Sequence, residues 1–80
     1  MSDLHLQQSF GKVVRRRREC LGLSQESFAE EAGLHRTYVS LLERGARNPS
    51  LNVIGAIAKA LHIQISKLLA EAEATERSNA

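Results

Sequence analysis

The stretch SQESFAEEAGLHRTYVSLLER, Ser24 to Arg44, decides the fold. Ser24 reads as a helix N-cap, because its hydroxyl can accept a hydrogen bond from an otherwise unpaired backbone N–H in the first turn. Leu23 before the cap and Phe28 at the fourth helical position form a hydrophobic staple, which fixes the angle at which the chain enters. That helix ends at Ala32-Gly33, where Gly33 can take a positive φ at little steric cost and turn the chain sharply. A second short helix follows over roughly His35 to Arg44. It places Val39 and Leu42 inward and turns Arg36, Thr37, Ser40 and Leu41 outward.

The pattern continues on both sides. A first helix over about His5 to Leu21 puts Phe10, Val13, Val14 and Leu21 on one face, and Gly22 closes it. Arg15 to Arg18 interrupt this helix, and four consecutive residues spaced about 100° apart cannot all serve one surface. Arg18 lies at i+4 from Val14 and leans toward the core, where a charge needs an anion; Glu43, beside the inward Leu42, is the acid that does not suit an outward basic surface. An Arg18–Glu43 ion pair is therefore expected. Arg15 and Arg16 read as solvated, with phosphate contact as the alternative.

Beyond Arg44, Gly45 caps the helix and Pro49 cannot continue one, so residues 44–49 form a loop. Ser50 caps a fourth helix, in which Leu51, Ile54, Ile57, Ala58 and Leu61 follow the helical period. A last helix is expected to start with Ser66 as its cap. It carries Leu68, Leu69 and Ala72, with Ile63 and Ile65 just before it, which is more aliphatic surface than a terminal helix needs to cover itself. Ile63, Ile65, Leu68 and Leu69 are the expected dimer contacts. The result is one all-α, five-helix domain over residues 1–80, with 71–80 a frayed tail of Glu, Ala, Thr, Arg, Ser and Asn.

Eighty residues are enough for a single core. A chain of this size hides only roughly 60 to 65% of the surface its unfolded form exposes, so a homodimer interface would add stability. Eight of the eleven Lys and Arg fall between Lys12 and Arg47 against five acids in the same window, an excess of +3 that permits a local basic face. No run is long enough to span a bilayer, and residues 1–9 lack the basic start and apolar stretch of a secretory signal, which predicts a cytoplasmic protein. Cys20 is the single cysteine and reads as a partly buried small apolar residue.

The chemistry narrows to binding. There is no phosphate-binding glycine loop and no cysteine pair, and His5, His35 and His62 are scattered without ligand spacing, so no metal, cofactor or enzyme activity is expected. The base-reading candidates are Arg36, able to donate twice to guanine O6 and N7, Thr37, Tyr38 and Ser40. Tyr38 also has a ring suited to packing under the loop. The phosphate candidates are Gln25, at the positive end of its helix, and Arg44, Arg47, Asn48 and Asn52 around the loop.

The stretch Gly22 to Leu61, with Leu23-Ser24-Gln25, Ala32-Gly33-Leu34, Leu42-Glu43-Arg44-Gly45 and Asn48-Pro49-Ser50-Leu51, resembles the Cro and phage-repressor type helix-turn-helix family, often called XRE. His35 to Leu51 also looks like the controller proteins of restriction-modification systems, small dimers that bind paired sites and regulate the restriction gene. The resemblance implies a five-helix bundle of the lambda-repressor-like type, dimeric through its last helix. It also implies Gln25 on phosphate, Arg36, Thr37 and Ser40 near bases, and Arg18 paired with Glu43. Arg17 departs from the pattern, standing where such proteins often carry an apolar residue. The expected partners are double-stranded DNA and a second copy, with no membrane and no small-molecule ligand. The competing reading, an antitoxin subunit or bridging factor, would call for a partner-binding extension, and residues 71–80 look too short and polar for one.

Overall fold

The computed structural model describes residues 3–78 and contains five helices: α1 (Asp3–Cys20), α2 (Gln25–Ala32), α3 (Arg36–Glu43), α4 (Leu51–Ala60) and α5 (Ile65–Ser78). Two serine caps set the short elements. Ser24 Oγ accepts from the Ser27 N–H at 3.0 Å, and Ser50 Oγ accepts from the Val53 N–H at 3.2 Å. Gly33 ends α2 in the left-handed region at φ 70°, and the Leu34 N–H returns to the Ala29 carbonyl at 2.8 Å. That pairing satisfies carbonyls the helix end would leave open, and it brings α3 into place after two residues.

Each helix sends at least one side chain fully inside. Val13 and Val14 of α1, Phe28 of α2, Val39 and Leu42 of α3, Ile57 of α4 and Leu68 of α5 make the centre of one core. Full burial of such a side chain contributes about 1.5–3 kcal/mol. The staple residues Leu23 and Phe28 both join this cluster. The long helices α1 and α5 pack along each other, while α3 is held between α1 and α2.

Five expectations change at the helix ends. Leu21 lies past the end of α1 and is 45% exposed, and Cys20 is exposed as well. Leu51 has the right period, yet as the first residue of α4 it overhangs the core and is 71% exposed. Ser66 is not a cap: α5 already begins at Ile65, and the Leu68 N–H bonds to the Gln64 carbonyl at 3.0 Å. Glu71 to Ser78 continue as helix instead of fraying, because Ala72 is fully buried and Glu71 pairs with Arg17 of α1. Asn79 and Ala80 lie outside the described residues.

Candidate nucleic-acid interface

Helix geometry sorts the residues of α3. Arg36, Thr37, Ser40 and, at its cap, Arg44 fall within an arc of about 100°, whereas Tyr38, Val39 and Leu42 lie on the other side. The structure has Arg36 and Thr37 exposed, Ser40 half-buried at the edge, and Val39 and Leu42 inside. Tyr38 is half-buried and packs against the core, so it does not share the face of Arg36, Thr37 and Ser40. No acid occupies the first turn of α3, and the cap residue His35 makes no side-chain cap bond, which leaves the positive end of the helix open.

The turn after α3 is tightly wound. Gly45 sits at φ 77°, its N–H bonded to the Leu42 carbonyl at 3.0 Å, and the Ala46 N–H reaches the Leu41 carbonyl at 2.9 Å. Arg44, Arg47, Asn48 and Asn52 are all exposed around this turn. Arg44 Nε lies 3.4 Å from the Ser40 carbonyl, which keeps it over the α3 face. Among the described residues, Arg36, Arg44 and Arg47 form no ion pair.

Under this surface lies a polar network joining three helices. Arg18 Nε donates to Glu43 Oε2 at 2.7 Å and Arg18 Nη2 to Glu43 Oε1 at 3.1 Å, a bidentate pair with both residues buried. Arg18 Nη1 also donates to the Leu23 carbonyl at 2.7 Å, which ties the α1–α2 turn to the same pair. The hydrogen bonds to Glu43 raise the Arg18 pKa further above its ordinary value, against the effect of burial. Gln25 Nε2 donates to Glu43 Oε1 at 3.0 Å, so the Gln25 amide is oriented by the pair, with one N–H remaining.

The rest of the arginine run is also occupied. Arg15 pairs with Glu19 at 3.2 Å, Arg17 makes a two-point pair with Glu71, and Arg16 Nη2 lies 3.9 Å from Glu71. Hydrogen bonding from Arg17 holds the Glu71 carboxyl below its ordinary pKa. The departure at Arg17 is thus accommodated by an acid on α5, 54 residues away.

The four expected dimer contacts separate. Leu68 is fully buried in its own chain's core and cannot meet a partner; Ile63 and Leu69 are half-buried, and Ile65 is 38% exposed. A Cβ on Gly55 would stand 3.7 Å from Ile65 Cδ1, and Leu51 is one turn before Gly55 on α4. Leu51, Gly55 and Ile65 thus line one apolar strip. Leu51 could have been assigned to it from its position at N1, ahead of the buried part of its helix.

Two further residues were not singled out from sequence. Gln7 Nε2 donates to the Gly45 carbonyl at 2.7 Å. Gly11, where α1 crosses the end of α3, is so close that a Cβ would lie 2.8 Å from the Glu43 carbonyl oxygen. A glycine inside a helix costs roughly 0.5–1 kcal/mol relative to alanine, which is itself a sign of close backbone approach.

Comparisons with known proteins agree with this geometry. The helix-turn-helix family model HTH_3 matches residues 14–68. Control protein C.BamHI of Bacillus amyloliquefaciens is 51% identical over 61 residues, 75% of each chain. Control protein C.SmaI of Serratia marcescens is 41% identical over 66 residues, covering 82% of this chain and 79% of that one. The crystal structure of the restriction-modification controller protein C.AhdI from Aeromonas hydrophila superimposes with a TM-score of 0.75 at 45% identity, covering 78% of this chain and 94% of that one. A capped bihelical unit with an open basic face, matched over most of its length by such regulators, places this chain in the HTH_3 helix-turn-helix family of DNA-binding transcriptional regulators.

Proposed function

We propose that this chain is a restriction-modification controller that binds a near-palindromic operator as a homodimer. The observation that carries the reading is the outer face of α3 and its turn, where Arg36, Arg44 and Arg47 are exposed without an acidic partner among the described residues. The similarity to control proteins supports the biological setting.

In this reading α3 lies in the major groove. Arg36 donates to guanine O6 and N7, Thr37 sets its methyl group against thymine or its hydroxyl on phosphate, and Ser40 bonds to a base or phosphate at the groove edge. Tyr38 keeps its ring on the core and offers at most its hydroxyl to the DNA backbone. Gln25 gives its remaining amide N–H to a phosphate on one side of the groove, while Arg44, Arg47, Asn48 and Asn52 hold phosphates on the other. The second copy docks along Leu51, Gly55 and Ile65, with the exposed parts of Ile63 and Leu69 beside them. Two-fold symmetry then sets the half-sites about one helical turn, roughly 10 bp, apart.

Selection of bound duplexes from a random pool tests the proposal. A recovered palindrome with that spacing supports it, and a pool with no enriched sequence contradicts it. Light scattering tests the dimer separately: Ile65→Asp should convert a dimer to a folded monomer, and an unchanged mass would remove the strip from the interface.

A further inference from the structure

The turn after α3 has its own backbone bonds to that helix and also rests on α1. Three positions in succession along α1 meet the end of α3. Gln7 Nε2 donates to the Gly45 carbonyl at 2.7 Å. Gly45 rests on the next residue, so closely that a Cβ would lie 2.9 Å from Gln8 Cα. Gly11, one turn later, touches the Leu42 and Glu43 carbonyls. Two of these contacts are steric and nondirectional. The Gln7 bond is the directional one of the three, and it holds the carbonyl side of the Gly45–Ala46 peptide, whose N–H bonds to the Leu41 carbonyl at 2.9 Å. Gln7 also lines one cleft together with Asn48 and Pro49 of the loop.

We propose that Gln7 is a positioning residue for DNA binding: its amide holds the Gly45 carbonyl and thereby aims the residues that follow it, Arg47 and Asn48, at the DNA backbone. The inference rests on the phosphate role given to that loop above. Gln7 itself need not touch DNA. With its donor gone, the loop samples more directions when free and must be ordered on binding, an entropic cost that appears as weaker affinity. Because phosphate contacts carry no sequence information, the loss falls on every duplex alike.

Gln7→Met keeps the side chain's length and its cover over the cleft while removing the donor; Gln7→Glu replaces the donor with an acceptor at the same place. Affinity is measured by fluorescence anisotropy on a selected operator and on random duplex across a salt series, with circular dichroism melts alongside. The expected result for Gln7→Met is about fivefold weaker binding to both duplexes, the cost of ordering the loop on binding, with the parental salt slope, because the ordered loop meets the same phosphates. Melting should be lowered by several degrees, because the Gly45 carbonyl loses its partner. Gln7→Glu should bind at least as weakly. The deciding arm is an Arg44→Ala/Arg47→Ala background, in which Gln7→Met should cost less than twofold. An equal cost in both backgrounds, a loss on the operator alone, or unchanged binding would overturn the proposal. If the arginine pair variant itself binds like the parent, the phosphate reading falls and takes this inference with it; if that variant is weak and Gln7→Met is not, Gln7 alone is excluded.

Discussion

Two sets of arginines divide this molecule, and the denser one is the one paired with acids. Arg15 to Arg18 form the most basic run in the chain, yet each has an acid of its own chain within 3.9 Å: Arg15 with Glu19 and Arg16 with Glu71 at the surface, Arg17 with Glu71 half-buried, Arg18 with Glu43 buried. Arg36, Arg44 and Arg47 are scattered through the sequence, lie exposed on α3 and the turn after it, and form no ion pair among the described residues. Charge density along a chain therefore says little about which charges can act outside it. Partners decide that, and partners are set by packing.

The largest effect that could break this contrast lies at Glu43. Glu43→Ala strands the buried Arg18 guanidinium and frees the Gln25 amide, and should cost about 3–5 kcal/mol of stability in urea or thermal unfolding. Near-parental melting would mean that Arg18 reaches solvent and belongs with the other set. Next in size, Arg36→Ala should leave unfolding unchanged and cost about 1–3 kcal/mol of binding on the selected operator, with little loss on random duplex. Equal losses on both duplexes would move Arg36 from base reading to phosphate contact.

The smallest expected effect concerns Arg17 and Glu71. Glu71→Gln removes the anion that anchors α5 to α1, and a part-buried pair of this kind contributes on the order of 1 kcal/mol. The folded-state pKa of Glu71 is lowered, so its stabilisation is fully present above the ordinary carboxylate range and is lost as pH falls through the depressed folded value. The parent and the variant should accordingly differ at neutral pH and converge in acid. A difference that persists unchanged at low pH would show that the glutamine disturbs packing and not charge.

Much of the fold was legible because its signals are local. Ser24, Ser50 and Gly33 mark helix ends by the chemistry of one residue, and the Leu23–Phe28 staple spans only five positions. The Arg18–Glu43 pairing followed from a helical face and a missing anion. The rest depended on how distant helices meet. Arg17 finds Glu71 only because α1 lies along α5, and that contact keeps residues 71–78 helical despite their polar composition. A start at Ile65 places Leu68 inside the chain's own core and leaves Ile65 exposed, so of these two expected dimer contacts only Ile65 remains available to a partner. The position of Gln7 against Gly45, 38 residues away, leaves no mark in either local sequence.

The contrast between the arginine sets is tested most directly by the salt dependence of DNA binding in two matched variants. Arg15→Ala/Arg16→Ala removes the two most exposed members of the run, at 64% and 56% side-chain exposure, and Arg44→Ala/Arg47→Ala removes the loop pair. Each phosphate contact contributes about 0.9 to the slope of log affinity against log salt. The loop variant should lose close to two contacts' worth of slope on any duplex, while the run variant keeps the parental slope. A shallower slope for Arg15→Ala/Arg16→Ala with a parental slope for Arg44→Ala/Arg47→Ala would contradict the account.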